Sequence, residues 1–130
     1  MPAMLMQHDV DPAKEIFDKV GNLDKFKLFG NQLLLGIYKR PEKTKSNLYI
    51  ADITRGEDEH QGKSAVVLLK GPAAFKSDAN YDFHGMDVKI GDWVAIFVSD
   101  GRKIMINGQL CRITEDQFIR LKIPAPDVVF

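Results

Sequence analysis

The sequence predicts an all-β domain, a barrel or a sandwich, preceded by one short helix. Three observations lead there. The apolar runs are short, of strand length, and rich in β-branched and large residues. Turn formers such as Gly-Asp, Asp-Gly and Asn-Gly fall between them at close intervals. The only helical spacing lies ahead of the first of these runs, and no internal repeat or second domain is visible.

The helix is expected between Asp11 and Gly21. Asp11 caps, Pro12 suits the first turn, and Gly21 ends it, while Ile16, Phe17 and Val20 share one face. A helix this short is marginal alone in water, so it is expected to dock on the main body or on a neighbour. From Phe26 the pattern changes. Leu33-Leu34-Leu35-Gly36-Ile37-Tyr38 is too short for a buried helix and reads as a strand. Lys39 to Lys63 is a long polar stretch with a single apolar island, Leu48-Tyr49-Ile50. Loops beyond about 12–15 residues are uncommon in compact domains and are usually functional or disordered.

Ser64 to Leu69 reads as the next strand, closed by Gly71-Pro72. Residues 73–88 interrupt the pattern, with Asn80, Asp82 and Gly85 as turn formers and Phe75, Tyr81 and Phe83 as aromatics. Gly91-Asp92 then turns the chain within a run from Val88 to Val98 that reads as strand. Asp100-Gly101 is a hairpin signal, and Asn107-Gly108 a stronger one that would pair Lys103–Ile106 with Gln109–Ile113. Phe118–Ile123 is the last strand expected, before Pro124 and Pro126 end regular pairing.

Bulk properties narrow the function. The 130 residues fit one domain, with 45% apolar and 28% charged residues, as in ordinary soluble proteins. Lys+Arg and Asp+Glu are equal at 18 each, so no net field draws the chain to nucleic acid or anionic lipid. A single cysteine, Cys111, excludes an internal disulfide and agrees with a reducing compartment. No run reaches the roughly 18–20 apolar residues of a membrane span, and the N-terminus lacks the pattern of a signal peptide. A soluble, cytoplasmic protein is expected.

Catalytic chemistry is hard to find. His8, His60 and His84 are far apart in polar or loop contexts, and Cys111 follows Leu110 in an expected strand, where a buried inert thiol is the usual case. Glu57-Asp58-Glu59 lacks the alternating ligands and glycine turn of a calcium loop. Neither G-x-G-x-x-G nor a P-loop is present. Arg112 and Arg120 are expected in salt bridges or solvent, and Trp93 in core or rim packing. The expectation is a protein that is no enzyme and carries no cofactor or metal. Aromatics beside Lys and Arg leave an oligonucleotide-binding barrel as an alternative.

The ordered set of segments resembles the GroES (chaperonin-10) family. The family's opening strand, I-x-P-L-x-D-R-V-L-V-x-R, is similar to Phe26–Arg40. Its mobile-loop pattern, E-x-K-(T)-x-G-G-I-x-L/I, resembles Glu42-Lys43-Thr44-Lys45-Ser46-Asn47-Leu48-Tyr49-Ile50. V-K-V-G-D-x-V-x-F looks like Val88–Ile96, and the closing pattern looks like Ile106–Leu121. The likeness covers roughly residues 26–123 in the correct order. The chain departs from the family with Asn31-Gln32 in place of Asp-Arg and Ser46-Asn47 in place of Gly-Gly. Residues 1–25 and 124–130 have no family counterpart, a divergence that suits a bacteriophage-encoded version acting in the host cytoplasm.

The resemblance implies a partly open β-barrel over residues 26–123, with a mobile loop at about 40–63 and a roof hairpin at about 73–87. It implies a co-chaperonin that caps a GroEL-type chaperonin and encloses unfolded client proteins, with ATP bound by the partner. Leu48, Tyr49 and Ile50 would bind the chaperonin. The subunits would form a homo-oligomeric ring, a heptamer by resemblance, closed by pairing between Lys25–Leu28 and Phe118–Ile123 of neighbours. A structural or virion-assembly protein on the same barrel, without chaperonin binding, is the alternative of a different class.

Overall fold

The computed structural model describes residues 10–39, 63–79, 81–97 and 99–128. Helix α1 spans Pro12–Val20. Six strands follow among the described residues: β1 (Gln32–Ile37), β2 (Ser64–Lys70), β3 (Trp93–Ala95), β4 (Arg102–Ile106), β5 (Gln109–Glu115) and β6 (Leu121–Ile123). Two single-turn 3-10 helices, Asp116–Phe118 and Pro126–Val128, follow β5 and β6. Among the described residues the chain is therefore mostly β with one short α-helix. All six strands form one sheet in the order β4-β5-β1-β2-β3-β6, and each neighbouring pair is antiparallel.

The sheet curls. Laid flat, its two edge strands would lie about 24 Å apart, five spacings of about 4.8 Å. Yet Asp100, just before β4, and Arg120, just before β6, form an ion pair at 3.2 Å. The edges thus approach each other at this end. A register shift between Leu34 and Leu35 in the β1–β2 ladder accompanies the bend.

Side chains alternate across the sheet and bury both faces. Leu33, Leu35, Ile37, Ala65, Val67, Val94, Ile96 and Leu110 form the core on one face. Leu34, Tyr38, Val66, Leu68, Trp93, Cys111 and Ile123 form a second cluster on the opposite face, completed by Ile16 and Val20 of α1. Burial on both faces accounts for the unbroken apolar runs of β1 and β2, because neither strand has a solvent side to make polar.

Helix α1 forms where expected. The Asp11 carboxylate accepts from Ala13 N at 3.3 Å, Pro12 opens the first turn, and the Gly21 N–H donates to Phe17 O at 3.1 Å. Burying Ile16 and Val20 is worth roughly 3–6 kcal/mol gross, which supplies the docking that a helix of this length needs.

Several expected elements differ. Of the described residues in the Val88–Val98 run, the three of β3 join the ladder, although Val88 and Ile96 are buried. Asp100-Gly101 makes a turn but no hairpin: β3 pairs with β2 and β6, whereas β4 pairs with β5 across the sheet. Phe118 lies in a 3-10 turn, and β6 begins at Leu121. Lys25–Leu28 joins no strand of the chain. The Asn107-Gly108 hairpin stands, with φ of 50° and 82° at its two central residues, as a primed turn requires.

Candidate functional site

The three residues singled out for partner binding, Leu48, Tyr49 and Ile50, lie outside the described residues, as do most of the 40–63 segment, His8, His60 and Glu57-Asp58-Glu59. What the structure describes is the frame that holds this segment. Its ends belong to β1 and β2, which are antiparallel neighbours: Ile37 pairs with Ala65, and the Tyr38 N–H donates to Ser64 O at 3.0 Å. The Ile96 N–H donates to Lys63 O at 2.7 Å, joining the β3 side to the same frame.

Four further contacts fix these ends. The buried Gln109 Nε2 donates to Ile37 O at 3.0 Å. The Tyr38 ring stands edge-on to Trp93, with centroids 5.9 Å apart. Ser64 Oγ donates to Pro126 O at 2.7 Å in a buried bond. Gly36, two residues before Tyr38, is covered by Ile16. A Cβ at this position would sit 2.5 Å from Ile16 Cγ2, so only glycine lets the helix lie this close.

At the opposite end of β1 a polar junction organises residues 73–87. The buried Asp116 carboxylate accepts from Asn31 Nδ2 at 3.0 Å and from the Phe75 N–H at 2.8 Å. Its own N–H donates to Asn31 O at 3.1 Å. Asn31, which stands where the resemblance has Asp, therefore makes a polar contact of its own. Above it Phe75 stacks edge-on to Phe83, and Tyr81 lies 4.6 Å from Phe83. Asp82 accepts from Ser77 Oγ and from the His84 N–H, which shapes the turn at His84-Gly85. A cleft of about 620 Å³ lies between this segment and the 3-10 turn, lined by Asn31, Lys76, Asp78, Tyr81, Phe83 and Glu115.

Arg112 projects inward beside Leu110 and is 1% exposed, so of the two settings expected for it, salt bridge or solvent, solvent is excluded. Its guanidinium donates to Asp100 O at 3.0 Å and to Phe97 O at 3.3 Å, closing the turn before β4. Desolvation lowers its pKa and the nearby Asp100 charge opposes that shift. Arg120 meets the Asp100 carboxylate and covers the Phe97 ring at 4.6 Å, as the expected salt bridge. Cys111 is fully buried and burial pushes its thiol up to about 11, so it is a packing residue, as its strand position indicated. Trp93 is likewise buried packing.

No helix among the described residues is long and apolar enough to cross a membrane, and no group of three His, Cys, Asp or Glu among them is placed to hold a metal ion. Sequence reading missed Gly36 and Asp116 as organising residues. Asn107 carried a signal, the Asn-Gly turn, but nothing local reveals that its Nδ2 donates to Val20 O at 2.7 Å. Neither a scan against protein-family models nor a search of curated proteins finds a match to this chain.

Proposed function

We propose that this chain is a non-enzymatic co-chaperonin subunit of the GroES type, which caps a GroEL-type chaperonin through Leu48, Tyr49 and Ile50. The observation that carries the reading is the ordered set of family-like segments over residues 26–123, with a long polar insert bearing one apolar triplet. The fold supports it in two ways. The insert leaves and returns through adjacent antiparallel strands, a geometry suited to presenting a loop. The curled six-stranded sheet is consistent with a partly open barrel.

In this reading Leu48 and Ile50 enter an apolar groove on the chaperonin, and Tyr49 adds contact area at its rim. Two aliphatic side chains contribute roughly 3–6 kcal/mol gross, from which ordering the loop subtracts several. One loop is thus a weak ligand. A ring of subunits, seven by resemblance, makes later contacts intramolecular and raises avidity by roughly 10²–10⁴. The cap stays releasable because each contact is weak, and ATP is handled by the chaperonin. Residues 73–87 form the roof, and the client is enclosed beneath it.

Ring closure has candidate surfaces. Phe26 and Phe29 are exposed at 46% and 81% in a segment that joins no strand, and β6 is an edge strand with exposed Leu121. An unpaired edge strand and an exposed segment that joins no strand are candidates for strand addition between copies.

The test is to mix the chain with a GroEL-type chaperonin and ATP and separate by size. Co-migration is expected for the wild type and loss of it for Leu48→Ser or Ile50→Ser, with the ring still assembled. Normal capping by both variants would refute the loop assignment. Absence of any co-migration would favour the assembly-protein reading, and salt-dependent binding to single strands would favour a nucleic-acid-binding barrel.

A further inference from the structure

Of the two segments without counterpart in the resemblance, 1–25 and 124–130, the described residues 10–25 and 124–128 converge on one place. From the N-terminal side, α1 lays Ile16 over Gly36 and buries Val20 beside Leu34, Val66 and Leu68. Its last turn is held by Asn107 Nδ2, which donates to Val20 O, in the same hairpin whose Gln109 holds Ile37 O. From the C-terminal side, Ile123 joins the cluster of Trp93 and Tyr38, and Pro126 O accepts from buried Ser64 Oγ at 2.7 Å. Gly36 is two residues from one end of the frame at Tyr38, and Ser64 is the other end. Helix burial on one side and a buried side-chain bond on the other are independent contacts, made by opposite ends of the chain.

We infer that the two terminal segments act together as a brace on the paired chain at Tyr38 and Ser64, fixing the frame from which residues 40–62 start and to which they return. The residues concerned position the frame and touch no partner themselves. A fixed frame matters because two chain ends held one strand spacing apart begin with less freedom to lose than two fraying ends. The consequence for chaperonin binding rests on the co-chaperonin reading; the brace itself does not.

Amide hydrogen exchange on the full chain tests the brace. The Tyr38 N–H and the Ile96 N–H donate across the frame, to Ser64 O and Lys63 O, while the Gly71 N–H donates to Gln32 O at the far end of the β1–β2 pair. Gly36→Val pushes a side chain into Ile16 and is the strong variant. Asn107→Gly with Ser64→Ala is the mild one, since glycine keeps the positive φ of the turn while both brace hydrogen bonds are lost. The expected result in the mild variant is exchange on the order of tenfold faster at Tyr38 and Ile96, with Gly71 unchanged. Exchange that is unchanged at Tyr38 and Ile96, or accelerated equally at Gly71, overturns the brace. Capping by the mild variant, measured in parallel, should weaken by roughly threefold to tenfold. A wild type that caps no chaperonin would end the co-chaperonin reading and leave the exchange result standing.

Discussion

Asp92 shows how one residue of the Gly-Asp pair serves the fold. Its carboxylate accepts from the Lys89 N–H at 2.8 Å and meets Lys122 Nζ at 3.2 Å, tying the turn before β3 to β6. The backbone hydrogen bond, with Lys122 helping, holds its pKa below the ordinary carboxylate value against a smaller opposing effect of burial. A carboxyl whose pKa is lower folded than unfolded binds protons more readily in the unfolded chain. Its stabilisation is therefore full above the unfolded value near ~3.9 and is lost as pH falls through the lower folded value. Urea unfolding of the wild type and Asp92→Asn should differ at pH 7 and converge in strong acid. A difference that persists unchanged through the acid range would remove Asp92 from this role.

At the scale of elements, the fit of α1 against β1 depends on one missing methyl group. Ile16→Ala deletes a buried side chain and should cost about 2–4 kcal/mol by chemical denaturation. Gly36→Ala should also destabilise, because its Cβ would press on Ile16 Cγ2. The two changes should be far from additive: Gly36→Ala costs less once Ile16 is alanine, with the looser contact to Leu68 Cδ1 at 3.2 Å remaining, leaving a coupling on the order of 1 kcal/mol or more in a double-mutant cycle. Additive effects would mean that the helix does not rest on Gly36. The Asp116 junction plays a comparable part at the other end of β1, where one carboxylate serves Asn31 and the start of the 73–87 segment together.

For the whole molecule, the apolar side chains left outside both clusters matter most. Phe26, Phe29 and Leu121 are exposed in the chain and belong to neither core cluster, so changing them leaves both clusters intact. On the ring reading, Phe26→Asp combined with Phe29→Asp should convert rings to monomers in native mass spectrometry, with an unaltered circular dichroism spectrum. Rings that survive the pair would place the closing contacts elsewhere. On the same reading capping draws on avidity, so the monomeric variant should also lose chaperonin binding even with Leu48, Tyr49 and Ile50 intact.

The sequence by itself determined the all-β class, the helix from Pro12 to Val20, the Asn107-Gly108 hairpin, and the positions of β1 and β2. Each depends on local chemistry: a cap, a turn that tolerates positive φ, or an apolar run of strand length. It also singled out Leu48, Tyr49 and Ile50, from composition and resemblance alone. Only the tertiary structure decided that Asp100-Gly101 leads across the sheet, that Arg112 is buried on loop carbonyls, and that α1 covers Gly36. Unbroken runs such as those of β1 and β2 state that both faces of a strand are buried. They do not state by what, because the covering residues lie far along the chain and local propensity carries no record of them.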